Sequence, residues 1–182
     1  MTRILALCGS LRAASSNGAV LDALAMLAPP GVTVTRYGGL AGLPYFNPDL
    51  DKAEAPELLP APARELRREI GLCDALVISS PEYAHGVAGS LKNALDWLVG
   101  SLEFAGKPVA LINTAPRATR ADAQLREILA TMAARLIEPA SITVPVSGVG
   151  RSFDAAGVAS DAALARELGA AMAALVAASA SR

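Results

Sequence analysis

Ala75-Leu76-Val77-Ile78-Ser79-Ser80-Pro81-Glu82-Tyr83-Ala84-His85-Gly86 carries the clearest fold signal in the chain. Its first half is a short apolar run, the pattern of a strand covered on both faces. The sequence then turns at Pro81 and resumes with Leu91, Leu95 and Leu98 at helical spacing, so a helix follows over 89–98. In an open α/β sheet, the loops that leave the carboxyl ends of strands bind ligands. The loop at 81–86 carries an aromatic residue, the chain's only histidine and a glycine that lets backbone approach a ligand closely.

The same strand–loop–helix order opens the chain. An apolar strand at 3–8 leads into Gly9-Ser10-Leu11-Arg12-Ala13-Ala14-Ser15-Ser16-Asn17, and a helix follows over 17–27. A helix N-terminus offers free N–H groups and the positive end of its dipole to an anion. Ser10, Ser15, Ser16 and Asn17 add polar side chains, and Arg12 adds a charge-assisted partner for phosphate. Capping of the helix by Ser or Asn accounts for one of these residues and leaves Arg12 unexplained. The dinucleotide pattern G-x-G-x-x-G and the P-loop pattern are both absent. No acidic residue closes the next strand to hold a ribose; Arg36 and Tyr37 stand there instead. One terminal phosphate and one planar head, as in FMN, fit this pair of loops better than FAD, NAD or a nucleoside triphosphate.

Working outward, apolar runs at 3–8, 33–37, 74–79, 108–113 and 140–144 alternate with helical patterns at 17–27, 61–72, 89–98, 121–136 and 161–178. That alternation predicts a parallel α/β sheet. Five such units fit a flavodoxin-like three-layer sandwich with strand order 2-1-3-4-5 and a ligand site at the switch point between the first and third strands. Residues 1–182 are expected to form one domain. Two irregular stretches interrupt the pattern. Residues 38–60 embed Leu43, Tyr45, Phe46 and Leu50, which suits a surface connector or an ordered cover over a ligand or second subunit. Residues 146–157 carry Gly148, Gly150 and Phe153 and have the same two readings.

Composition narrows the function classes. A net charge of −1 gives no basic field for nucleic acid and no acidic field for steering a cationic partner. Cys8 and Cys73 form no CxxC pair, and with one histidine the chain lacks the donors of a structural metal site. A reduced, cytoplasmic protein with no metal is the expectation. No signal peptide is read at the start. The apolar stretch 168–181 is mainly alanine and falls short of the roughly 20 residues that span a bilayer, so a packing helix and no membrane contact are expected.

With these residues in place, the chain resembles the NAD(P)H-dependent FMN reductase family, the flavodoxin-like quinone, azo-dye and chromate reductases. The first family motif is similar to Gly9, Ser10, Arg12, Ser15 and Asn17. The second, Pro-Glu-Tyr-Asn-x-Ser-x-Pro-Gly-x-Leu-Lys-Asn-x-x-Asp-Trp, matches Pro81, Glu82, Tyr83, Gly89, Leu91, Lys92, Asn93, Asp96 and Trp97. Gly106 to Asn113 and Pro116-Arg117 also resemble the family's fourth strand and its loop. Ala84, Gly86 and Ala88 depart from the pattern where an amide, a serine and a proline are common.

The resemblance implies an FMN cofactor, NADPH or NADH as electron donor, a small acceptor such as a flavin or quinone, and ping-pong turnover. It implies that Pro81, Glu82, Tyr83, Ala84, His85 and Gly86 line the flavin ring, mainly through backbone N–H groups. No side chain need then be catalytic, because the flavin carries the chemistry. Arg117 stands as a substrate-binding candidate beside a plain surface role. The alternative function is a flavodoxin-like electron carrier that does not turn over NAD(P)H. A homodimer or homotetramer is implied, with Trp97, off the Leu91–Leu95–Leu98 stripe, expected at the contact. Glu82 reads either as a charged wall of the site or, preferably, as a partner for an arginine across a subunit interface. At His85 the backbone is expected to matter more than the ring.

Overall fold

The computed structural model describes residues 1–146 and 154–180. The expectations for Gly148, Gly150 and Phe153 lie outside the described residues. In chain order the principal elements are β1 (Thr2–Cys8), α1 (Ser16–Met26), β2 (Val32–Arg36), α2 (Ala61–Leu72) and β3 (Ala75–Ser79). There follow β4 (Glu82–Tyr83), β5 (Gly86–Val87), α3 (Gly89–Asp96), β6 (Pro108–Asn113) and α4 (Thr119–Thr131). The chain continues with β7 (Arg135–Leu136), β8 (Ile142–Thr143), α5 (Ala155–Ser160) and α6 (Ala162–Ala180).

The main sheet is parallel and runs β2-β1-β3-β6, with β7 and β8 both on the outer edge of β6. Side chains alternate across it as a period of two requires. Leu5, Leu7, Leu76, Ile78, Val109 and Leu111 pack on one face with Leu66, Ile70, Leu91, Leu95 and Leu129 from α2, α3 and α4. Ile4, Ala6, Cys8, Ala75, Val77, Ala110 and Ile112 pack on the other with Leu21, Leu24, Met172 and Leu175 from α1 and α6. The three-layer, flavodoxin-like order 2-1-3-4-5 expected from the sequence is therefore present, its fifth position filled by two short segments.

That split corrects two boundaries. The helix expected to reach residue 136 stops at Thr131, because Ala133 turns left-handed (φ 57°) and the Ala134 N–H reaches back to the Leu129 carbonyl. Met132 and Leu136 continue the helical apolar spacing, which is why the sequence did not reveal the stop. Arg135 and Leu136 then pair with Pro108 and Val109, and a short 3-10 turn at Glu138–Ala140 separates them from Ile142 and Thr143, which pair with Ile112 and Asn113. Pro139 in that turn has no N–H for a continuous ladder.

Residues 38–60 form an ordered cover over the protein's own core. Leu43, Phe46 and Leu50 pack against the α2–α3 side. Asn93 grips the segment from both sides: its Oδ1 accepts from the Phe46 N–H at 2.8 Å, and its Nδ2 donates to the Pro44 carbonyl at 2.9 Å. Trp97 Nε1 donates to the same carbonyl at 2.8 Å, and its ring meets Phe46 edge-on at 5.1 Å. Trp97 is fully buried within the chain, so the expectation that it sits at a subunit contact is corrected. The α3 stripe wraps wider than Leu91–Leu95–Leu98 because the 38–60 segment roofs its flank.

Cys8 and Cys73 are free and buried, as expected. The helix α6 lies where the sequence placed one, within two residues of the expected 161–178 at either end. Among the described residues it is the one helix long and apolar enough by length and composition to cross a membrane, a test that core helices also pass. Leu168, Ala171, Met172 and Leu175 of α6 are buried in the sheet-facing layer.

Candidate functional site

Both candidate loops leave the carboxyl ends of adjacent strands. β1 and β3 pair in register from Ile4–Ala75 to Cys8–Ser79, so the chain exits at Gly9 and Ser80 side by side. Contact there is so close that a Cβ on Gly9 would lie 2.5 Å from Ser80 Oγ and 3.2 Å from its Cα. Only glycine allows the two loops this approach. The Ser90 hydroxyl, from the first turn of α3, donates to the Gly9 carbonyl at 2.9 Å and fixes it further.

Beyond Gly9 the first loop folds on itself. Ser10 is buried, and its hydroxyl accepts weakly from the Arg12 N–H at 3.4 Å. Ser15 is the N-cap of α1, its hydroxyl accepting from the Gly18 N–H at 3.2 Å. The N–H groups of Ser16 and Asn17, in the first helical turn, meet no acceptor among the described residues. Arg12 is exposed on the loop. Asn17 is buried, and its amide donates to Ser79 Oγ at 2.9 Å, which ties the helix start to β3. It therefore faces the loop through its backbone.

The second loop is a two-stranded hairpin. Glu82 pairs with Val87 and Tyr83 with Gly86, and the two turn residues Ala84 and His85 are both left-handed, at φ 49° and 61°. This is the geometry of a type I′ turn, where asparagine and glycine are the favoured residues. The alanine at 84 thus departs from the family pattern at a position where an amide-bearing residue would also suit the backbone. A Cβ on Gly86 would meet only ordinary contacts, so the chain's own packing does not require glycine there. Ala88 is buried at φ −53°, close to the value proline would impose.

Glu82 is held by groups within its own chain. Its Oε2 accepts from the N–H groups of Arg120 and Ala121 at 3.0 and 2.9 Å, and its Oε1 lies 3.1 Å from His85 Nδ1. The Ala121 N–H, then the His85 hydrogen bond, hold its carboxyl below the usual carboxylate range. Within the chain its role is a cap: α4 begins without a side-chain cap of its own, and Glu82 supplies one from another element. Gln124 adds a second tie, its Oε1 accepting from the Val87 N–H at 3.3 Å. The His85 ring stays largely exposed. Arg117 is exposed on the loop between β6 and α4.

Between the loops lies a cleft of about 360 Å³ lined by Gly9, Leu11, Arg12, Tyr83, Ala88, Gly89 and Ser90. Its size falls in the range of small-molecule sites, about 300–1,000 Å³. Leu11 and Tyr83 are both more than half exposed on its rim, an apolar and aromatic frame for a flat ring. A larger hollow of about 520 Å³, lined in part by Glu103, Lys107 and Arg135, opens beside the start of β6, at the opposite end of the strands. There Lys107 caps the end of α2, donating to the carbonyls of Gly71 and Cys73. Ser15 and Ser16 line a separate hollow of about 240 Å³ at the start of α1, so of the predicted phosphate residues only Arg12 reaches the cleft itself. Three participants escaped the sequence reading: Ser79, Ser90 and Gln124. Ser79 left a trace, as a hydroxyl closing an otherwise apolar buried strand; the other two lie on helix surfaces and left none.

The chain is similar to known proteins. The sequence pattern of the family described as NADPH-dependent FMN reductase matches residues 2–147. A relative named NAD(P)H-dependent FMN reductase, from Pseudomonas aeruginosa, is 34% identical over 160 residues, covering 85% of this chain and 83% of its own. A quinone reductase of Escherichia coli K12 is 37% identical over 133 residues, 70% of this chain and 69% of its own. Among solved structures, the flavoenzyme FerB, an NAD(P)H:(acceptor) oxidoreductase of Paracoccus denitrificans, superposes with a TM-score of 0.75 at 24% identity, over 97% of this chain and 96% of its own. That likeness speaks for the fold, while the family pattern and the relatives speak for descent. On these grounds the chain belongs to the NADPH-dependent FMN reductase family.

Proposed function

We propose that the protein is an FMN-dependent oxidoreductase that takes hydride from NAD(P)H and reduces a flavin, quinone or similar small acceptor. The observation that carries this reading is the side-by-side exit of two dissimilar loops from β1 and β3, with Arg12 of the first and Tyr83 of the second on one cleft and Ser15 and Ser16 on an adjoining hollow at the start of α1. Family membership favours turnover over the electron-carrier alternative, and the net charge of −1 gives little of the acidic field such carriers use for docking.

In this reading Ser10, Arg12, Ser15, Ser16 and Asn17 hold the phosphate, Asn17 through its backbone N–H. Pro81, Glu82, Tyr83, Ala84, His85 and Gly86 form the ring loop. Tyr83 and Leu11 frame the flat head, and the turn presents backbone N–H groups to its polar edge. FMN, if held there, would supply the redox chemistry for ping-pong transfer from donor to acceptor. Arg117 is proposed to meet a charged part of the donor or acceptor. Residues 1–182 are proposed to work as one domain, in the cytoplasm, as a homodimer or homotetramer, with no resident metal and no nucleic-acid or membrane partner.

The test is the visible spectrum of the purified protein, followed by anaerobic addition of NADPH and of NADH. A flavin spectrum that bleaches rapidly supports the enzyme. A flavin indifferent to both nucleotides supports the carrier, and a protein that cannot be loaded with FMN overturns both.

A further inference from the structure

The hairpin that borders the cleft is poorly equipped to hold its own shape. It is closed by a type I′ turn whose two central residues, Ala84 and His85, carry a Cβ in the left-handed region. Its ladder is only two residue pairs long, Glu82 with Val87 and Tyr83 with Gly86. An isolated two-stranded hairpin is marginal even with a favourable turn. Its geometry must therefore be imposed from outside, and the described contacts that do so lead to α4. Glu82 accepts two N–H groups at the start of that helix and reaches His85 with its other oxygen. Gln124 holds the Val87 N–H.

We propose that Glu82 is a positioning residue: by binding the N-terminus of α4 and the His85 imidazole at once, it holds residues 83–86 in the left-handed turn that borders the cleft. One carboxylate oxygen fixes the hairpin to the helix and the other fixes the second turn residue to the hairpin. The charge is well placed, since the start of a helix is electropositive. The effect on FMN rests on the function proposed above, while the effect on the turn stands without it.

The experiment compares the wild type with Glu82→Ala, Glu82→Gln, and Glu82→Ala combined with Ala84→Asn and His85→Gly. The last pair installs the Asn-Gly sequence that two-residue hairpin turns prefer, so the turn no longer needs the clamp. Amide hydrogen exchange is read first, without FMN. Glu82→Ala should speed exchange across residues 82–88 and the first turn of α4 by at least roughly tenfold, the scale of a lost charged hydrogen bond, and leave β1, β3 and β6 protected. Glu82→Gln, which keeps an acceptor and loses the charge, should fall between.

FMN affinity is then read by quenching of flavin fluorescence. It should weaken about tenfold in Glu82→Ala and recover most of that loss with Asn-Gly in the turn. Unchanged exchange at 82–88 overturns the proposal. So does an affinity loss that Asn-Gly leaves untouched, which would mean that Glu82 acts on the ligand itself. If Glu82→Ala unfolds globally, Glu82→Gln carries the same comparison. A wild type that binds no FMN removes the proposed cofactor, and the exchange data still decide the clamp.

Discussion

The side-chain amide of Asn17 donates to the Ser79 hydroxyl at 2.9 Å, and that hydroxyl donates in turn to the Ile112 carbonyl at 2.7 Å. One buried serine thus joins the start of α1, the end of β3 and the end of β6. Because Asn17 and Ser79 are both buried, water cannot replace either bond cheaply. The relay sets where the first free N–H groups of α1 stand relative to the ring loop, which leaves β3 one residue later.

Ser79→Ala should therefore destabilise the protein by about 1–3 kcal/mol, since it orphans the Asn17 amide as well as the Ile112 carbonyl. Urea denaturation of Ser79→Ala, Asn17→Ala and the double variant checks it. Losses that simply add would show that the two side chains are not coupled.

Gly9→Ala should force the two loops apart, because the new Cβ meets both the side chain and the backbone of Ser80. The expected cost is about 1–3 kcal/mol of stability, as for other overpacked sites, together with weaker FMN binding. Denaturation and a fluorescence titration check the two parts. A variant as stable and as well loaded as the wild type would show that the loops can separate freely.

Arg12→Ala should weaken FMN binding by about 1.5–3 kcal/mol, the usual loss of a hydrogen bond to a charged group. Thermal stability should hardly change, since the side chain is exposed. Unaltered affinity in the same titration would remove Arg12 from the phosphate site.

Arg67 holds the cover over α3. Its guanidinium donates to the Trp97 carbonyl through Nε at 2.9 Å and Nη2 at 2.7 Å, and Nη2 also reaches Asp51 Oδ2 at 2.7 Å. Both charged groups are mostly enclosed. Arg67→Ala leaves a part-buried carboxylate and a helix-end carbonyl unpaired, and should cost about 1–3 kcal/mol. Denaturant midpoints measure this, and tryptophan fluorescence should report a loosened environment at Trp97.

Acid should release the ring loop. The Glu82 carboxyl is held below its ordinary value by the Ala121 N–H and by His85, so its contribution is complete at neutral pH. It should persist down to about pH 5 and disappear as pH falls through the depressed folded value. Hydrogen exchange at residues 82–88 should stay slow to that point and then quicken beyond the intrinsic pH trend. Glu82→Gln should show no such step.

The layers and the strand order were legible in the sequence, because apolar runs of five to seven residues alternate with helical spacing and because β1, β3 and β6 are near-continuously apolar, with polar residues only at their ends. The sequence also located both loops, since glycine, serine and arginine before a helix have a local chemical reading. The tertiary structure decided what those residues do to one another. Glu82 caps a helix that starts 37 residues later, Asn17 turns its amide on Ser79, and Trp97 is roofed by Pro44 and Phe46 rather than by another subunit. Local spacing records which face of a strand or helix a residue occupies, whereas these partners meet only because the folded sheet brings distant segments to the same edge. The left-handed turns at Ala84, His85 and Ala133 belong to the same class: nothing in an alanine announces a positive φ, and contacts from elsewhere impose it.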